Sequence, residues 1–173
     1  MSKNFKITAK EDNKEYWISR SMATRSEVVV VNNKNERFLI INKRGSGTPD
    51  FQGMWNIPCG YLEYDVTLKE NATKELLEET GVYIPPFMWN FIRLEDDPIR
   101  SNKQNVTAVY RVIITEDKYK AQLQIGKEMN CTGGEENEVD DIKLLPLKLD
   151  DINAIEWAFN HKDIVKEIYY EGA

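Results

Sequence analysis

Three glutamates, Glu75, Glu78 and Glu79, stand at positions i, i+3 and i+4, a spacing that places them on one face of a helix. Like charges this close repel, by roughly a few tenths of a kcal/mol per pair. A helix under no functional demand more easily alternates signs. A hard divalent cation converts the repulsion into binding. Mg²⁺ in particular takes about one or two protein carboxylates, several waters and phosphate oxygens. Such an ion polarises a phosphoryl oxygen, acidifies a water and stabilises a departing phosphate, while a positioned carboxylate takes the water's proton. The competing reading is a solvated acidic face, the usual fate of a charge run.

The elements that would position these groups are legible around them. Thr67 with Glu70 three residues on forms a capping-box pattern, and Gly81 is a suitable C′ residue, so the sequence predicts a helix from 68 to about 80. Leu68, Ala72 and Leu76 would face the core. Strands are predicted at 16–18, 27–31 and 37–41, the last two joined as a hairpin by the turn composition of 32–36. Residues 45–51 read as a loop, and 55–58 as a short strand stopped by Pro58. Further strands are predicted at 87–94, 105–115 and 140–147, with 95–98 a solvated acidic loop and 116–137 a mostly polar stretch. A last helix, capped by Asp150 or Asp151, would run to about Tyr170. Strand-rich and helical segments in this order suggest a mixed α/β domain.

The chain has 173 residues, which fits a single domain over 1–173, with 1–24 an N-terminal strand extension. A net charge of −6 argues against a broad nucleic-acid surface, which needs clustered Lys and Arg. It does not argue against a polyphosphate, because a metal supplies positive charge locally. Cys59 and Cys131 belong to no CxxC pair or Cys/His cluster, so neither zinc nor a disulfide framework is indicated. The polar N-terminus lacks a signal-peptide core and no run approaches a spanning helix. A cytoplasmic setting with no membrane partner is expected.

Gly60, five residues, Val66, seven residues, then Lys74-Glu75-Leu76-Leu77-Glu78-Glu79-Thr80-Gly81-Val82 resembles the box of the Nudix hydrolase family: Gly, five residues, Glu, seven residues, Arg-Glu-apolar-x-Glu-Glu-x-Gly-apolar. The segment Asp50 to Pro58, Lys43-Arg44 before it, Gly133-Gly134-Glu135-Glu136, and Ala158-Phe159-Asn160-His161 also look like family segments. The resemblance, closest to ADP-ribose pyrophosphatase-like members, covers roughly residues 25 to 165. It implies a Nudix-like α/β/α sandwich around a mixed β-sheet. It implies Mg²⁺, with Mn²⁺ as the substitute, held by Glu75, Glu78, Glu79 and the Cys59 carbonyl. One of the three glutamates would instead serve as base, with Lys74 beside them. A carboxylate of the late loop, Glu135, Glu136 or Glu138, would join, Glu135 and Glu136 being preferred for the flanking glycines.

The implied function is Mg²⁺-dependent hydrolysis of the diphosphate bond in a nucleotide sugar, dinucleotide or nucleoside triphosphate. The partner is then a small nucleotide. A homodimer is the assembly that exposed edge strands would support. Phe51 is the best stacking candidate, ahead of Trp55 and Tyr64. Arg20, Arg25, Lys43 and Arg44 are candidates for holding phosphates. His161 reads as structural.

Two box positions depart from the pattern. Val66 replaces the glutamate and cannot bind metal or orient water; Glu63 and Asp65 are the nearest carboxylates that could compensate. Lys74 replaces arginine and is a point charge rather than a planar fork, though it can pair with Glu78. These departures keep two alternatives open: a degenerate Nudix domain acting as a nucleotide-binding regulatory module, and a plain interaction domain with a solvated acidic helix.

Overall fold

β3 (Met22–Val31) is the axis of the molecule. Its run Val28, Val29, Val30 is β-branched and fully buried, and successive side chains point to opposite faces of the sheet. Val28 and Val30 enter one apolar cluster and Val29 another. A computed structural model of the chain describes residues 5–101, 105–129 and 137–172. Along its full length β3 pairs in parallel with β8 (Val106–Thr115), and β8 pairs antiparallel with the edge strand β7 (Asn90–Glu95). On its other side β3 has two antiparallel neighbours. Its C-terminal end meets β4 (Arg37–Arg44) at Val29↔Leu39, and its N-terminal end meets β6 (Cys59–Tyr61) at Arg25↔Cys59. β4 also carries β5 (Trp55–Asn56) and β9 (Val139–Pro146), which completes a 7-stranded mixed sheet. The divergence of β3 and β4 admits β6 beside the helix that follows it. A separate antiparallel pair, β1 (Phe5–Thr8) and β2 (Glu15–Ile18), precedes the sheet.

Helices flank both faces, which gives the α/β/α layering the family resemblance implied. α1 (Leu68–Thr80) lays Ala72 and Leu76 on the first cluster, with Leu68 packed against its margin. Both halves of the Thr67–Glu70 capping box form, and Gly81 ends the helix at φ 70 in the left-handed region. A 3₁₀ turn at Pro86–Met88 leads into β7, and the single turn α2 (Pro98–Ser101) follows it. α4 (Leu149–Asn153) and α5 (His161–Tyr170) cover the other face through Ile152, Ile164, Val165 and Ile168. No helix among the described residues is long and apolar enough to cross a membrane.

Two expectations are corrected. The polar stretch after β8 begins with a 14-residue helix, α3 (Glu116–Met129). Only Tyr119 and Leu123, at i and i+4, pack on the core from it, and Gly126 lies against the Gly81 carbonyl. So narrow a stripe with an interior glycine gives almost no periodic signal. The single last helix is instead two. Between them Trp157 bridges to Trp55 and its Nε1 donates to the Ile152 carbonyl at 2.8 Å, while Phe159 sits at φ 55. α4 starts after Lys148 rather than at an aspartate cap; Asp150 and Asp151 lie in its first turn, where negative charge suits the helix dipole.

Candidate active site

β6 runs straight into the loop that opens α1, so the helix returns its last two turns over Cys59 and Gly60. Glu79 is 5% exposed, and its Oε2 accepts the Cys59 backbone N–H at 3.1 Å. Glu75 lies one turn earlier against Gly60, where a Cβ would overlap its carboxylate. Burial pushes the Glu75 pKa up to about 7; Lys74 opposes the shift, and the charges of Glu78, Glu138 and Glu63 add to it. Burial, then the Glu75 and Glu138 charges, raise Glu79 as well, against the pull of the Cys59 N–H and Arg44. Glu78 points elsewhere: its carboxylate takes the Lys74 ammonium at 2.9 Å, and the same ammonium reaches Glu63 at 2.9 Å. Burial works against the Lys74 charge, but these two hydrogen bonds outweigh it and raise its pKa.

The three helix glutamates therefore divide. Half-buried Glu75 and buried Glu79 form a mutually repelling pair, and Glu78 belongs to an ion pair with Lys74. Among the described residues no three Asp, Glu, His or Cys side chains form a ready metal cage. A carboxylate pair fits Mg²⁺ nonetheless, since that ion fills most of its octahedron with water and phosphate oxygens. Burial first, and the neighbouring carboxylates after it, make the ionised pair costly without a cation beside it. Cys59 is outside the positive-φ region, so a cysteine there costs no backbone strain. Burial pushes its thiol up to about 12, which leaves the backbone as its contribution. Glu135 and Glu136 lie outside the described residues; the charge of Glu138, which is described, is felt at both Glu75 and Glu79.

This charge surplus sets a pH dependence. A glutamate of the unfolded chain ionises near 4.5, whereas folded Glu75 holds its proton to about 7. The metal-free folded state is favoured below 4.5 and loses that advantage as the pH rises to about 7. Glu79 acts in the same direction. Melting temperatures in chelator are expected to fall between pH 5 and 7, with Glu75 contributing at most ~3 kcal/mol. A flat or rising curve over that window would contradict the burial.

Arg44 and Phe51 converge next to this pair. The Arg44 guanidinium lies 5.1 Å from the Phe159 ring centroid, donates to Asp50 at 2.8 Å, and its charge reaches Glu79. Phe51, 40% exposed and at φ 53, meets Phe159 edge-on at 4.8 Å. Two bulky residues at positive φ in contact make a strained and therefore well-determined corner. His161 supports it from below: its Nδ1 accepts the Ile57 N–H at 3.0 Å, and its ring lies 5.2 Å from Phe159. Phe159 had no role from sequence because nothing in its spacing ties it to a loop a hundred residues earlier. Trp55 packs in the second core cluster with Lys143 4.7 Å over its ring, and Tyr64 is fully in solvent. Arg20 lies between β2 and β3 and donates to the Asn105 carbonyl, just before β8, at 3.0 Å. Arg25 is no phosphate ligand: it is 2% exposed and engaged by Glu27 and Glu95. Glu95 is correspondingly not a solvated loop residue.

A family model described as NUDIX domain matches residues 22–168. The Phosphatase NudJ of Escherichia coli (strain K12) is 41% identical over 58 residues, 34% of this chain and 34% of that protein. The aligned stretch thus spans about a third of that relative's length. Among solved structures, the NUDIX domain of Shewanella oneidensis NrtR complexed with ADP ribose superposes with a TM-score of 0.67 at 17% identity over 90% of each chain. A bifunctional NMN adenylyltransferase/ADP ribose pyrophosphatase from Francisella tularensis, complexed with AMP and Mn ion, gives 0.61 at 17% identity over 89% of this chain and 42% of that one. Identities this low speak to the fold; the family match does more, and since it runs unbroken from the start of β3 into α5, this chain belongs to the Nudix family.

Proposed function

We propose that the chain is a cytoplasmic, Mg²⁺-dependent pyrophosphohydrolase that cleaves the diphosphate bond of a nucleoside diphosphate linked to a further group, with Mn²⁺ able to substitute. The observation that carries this reading is the Glu75–Glu79 pair, packed against Cys59 and Gly60 at the mouth of the β3–β4 divergence. Glu79, fixed by the Cys59 N–H, and the Cys59 carbonyl would hold the cation, beside Glu75. When bound, the ion polarises the phosphoryl oxygen and lowers the pKa of the attacking water. Glu75 would take that water's proton, with the Glu78–Lys74 pair on the helix beside it. Arg44 holds a substrate phosphate. Phe51, backed by Phe159, offers a ring for a base to stack on, a contact worth roughly 1–3 kcal/mol in other systems. ADP-ribose-like nucleotides are the first substrates to try, because the NrtR domain carries ADP ribose and the Francisella protein is an ADP ribose pyrophosphatase.

Gly60 gives a sharp check on the Glu75 assignment. Gly60→Ala needs no forbidden backbone angle, but its Cβ displaces the end of the Glu75 side chain. Metal-dependent turnover is expected to fall at least about 10²-fold, the scale of a misplaced catalytic group, with the melting temperature nearly unchanged. Turnover within a factor of three of the unaltered protein would remove Glu75 from the site.

A second reading, a nucleotide-binding regulatory module, is favoured by Val66, which leaves the box one carboxylate short. The two are separated by product release from nucleoside diphosphate derivatives and triphosphates, with and without Mg²⁺. Metal-dependent turnover establishes the hydrolase. Nucleotide-dependent stabilisation without turnover, from folded protein, establishes the module.

A further inference from the structure

The loop between β6 and α1 is held by a chain of polar contacts that the family resemblance does not supply. The Glu63 backbone N–H donates to Asn71 Oδ1 at 3.1 Å, and the Nδ2 of that fully buried asparagine donates to Thr24 Oγ1 at 2.8 Å. This ties the loop both to α1 and to β3. From the anchored position the Glu63 side chain accepts from Lys74 Nζ, which also holds Glu78. Lys74 sits where the family has arginine and Val66 where it has glutamate. Lysine's ammonium is a compact charge on a flexible stem, with no planar fork to fix its direction. Held by Glu78 alone, which shares its helix face with Glu75 at i, i+3, the ammonium would be free to lean over Glu75 and compete there with a divalent cation.

We propose that Glu63 is a positioning residue: it holds the Lys74 ammonium at the rim, beside Glu78, and so keeps the Glu75–Glu79 pair open to a cation in a box that lacks its usual glutamate at Val66. The inference rests on the cation site proposed above. Glu63 acts through Lys74 and touches neither substrate nor the reacting atoms.

The test is isothermal titration of Mn²⁺ into the full chain without substrate, so that it does not depend on turnover. Glu63→Gln, exposed and isosteric, is expected to bind Mn²⁺ about tenfold more weakly, the low end of what an altered surround costs a metal site. Asp65→Asn removes the same charge from the same loop, at a φ of 66 that asparagine tolerates, and is expected to change affinity less than twofold. Unchanged affinity in Glu63→Gln, or equal weakening by Asp65→Asn, overturns the positioning role alone. No Mn²⁺ binding by the unaltered chain overturns the cation site and this role with it.

Discussion

Glu79→Gln is expected to lower metal-dependent turnover at least about 10²-fold, since a bound cation supplies several kcal/mol of charge stabilisation, while leaving the fold intact. The glutamine keeps an oxygen to accept the Cys59 N–H that Glu79 takes at 3.1 Å, so the contact between α1 and β6 survives. What disappears is a formal charge in a place where water cannot reach it, the feature that attracts a divalent cation. Burial and the neighbouring Glu75 both hold the Glu79 pKa well above its ordinary value, which means the metal-free protein is strained by this charge. Glu79→Gln without metal should therefore melt at the same temperature as the unaltered protein near neutral pH, or above it. Loss of Mg²⁺-induced stabilisation should accompany the loss of turnover, because a ligand that binds only the folded state must raise its stability. A variant that turns over within threefold of the unaltered protein would move the cation away from Glu79. A variant that melts much lower would show that the carboxylate serves the fold instead.

How far the sequence could carry this reading depends on range. α1 was legible because its signals are local: a capping box at Thr67 and Glu70, a left-handed glycine at 81, and apolar residues every fourth position. The carboxylates were legible because helical geometry alone brings residues three and four apart together. The division among them was not. Whether Glu78 or Glu79 turns inward depends on where β6 lies, and on a loop carboxylate, Glu63, reaching Lys74 from eleven positions away. Phe51 is chosen for its polar loop and Arg44 for its charge, but the ring that organises them, Phe159, arrives from the segment that breaks the last helix. α3 went unread because its core contact is two side chains wide. Charged residues in strands misled most. Arg25, Glu27 and Glu95 look like surface in a sequence, since such residues seldom lose water, and only tertiary pairing across three strands and a helix makes their burial tolerable.

That pairing leads to the largest stability effect expected in the molecule. On the α5 face of the sheet, Arg25 donates to Glu27 Oε1 at 3.1 Å and takes Glu95 with both terminal nitrogens, at 2.6 and 2.8 Å. Arg111 donates to the second Glu27 oxygen at 2.8 Å, and Arg93 joins Glu95 to Glu167 on α5. Arg25→Leu keeps the volume but leaves two carboxylates short of their shared cation, Glu27 in a position with no solvent access. Breaking one partner out of such a buried set costs about 3–5 kcal/mol, or a fall in melting temperature of about 6–20 °C for a chain this size. Arg25→Lys should fall in between, since one ammonium cannot reproduce a fork that serves two carboxylates. Adding Glu95→Gln to Arg25→Leu should recover part of the loss, and the double-mutant cycle reads the coupling directly. The acid limb gives an independent reading. Burial alone would raise Glu95, but the hydrogen bonds and charges of Arg25 and Arg93 hold it at about 2, against an ordinary 4.5. A depressed carboxylate stabilises the fold above its unfolded pKa, and that contribution drains away as the pH falls from about 4.5 toward 2. Arg25→Leu should flatten this part of the stability curve as well as lower it. A variant that is merely lowered, with the acid slope unchanged, would show that packing around Arg25, and not its charge, is what the sheet depends on.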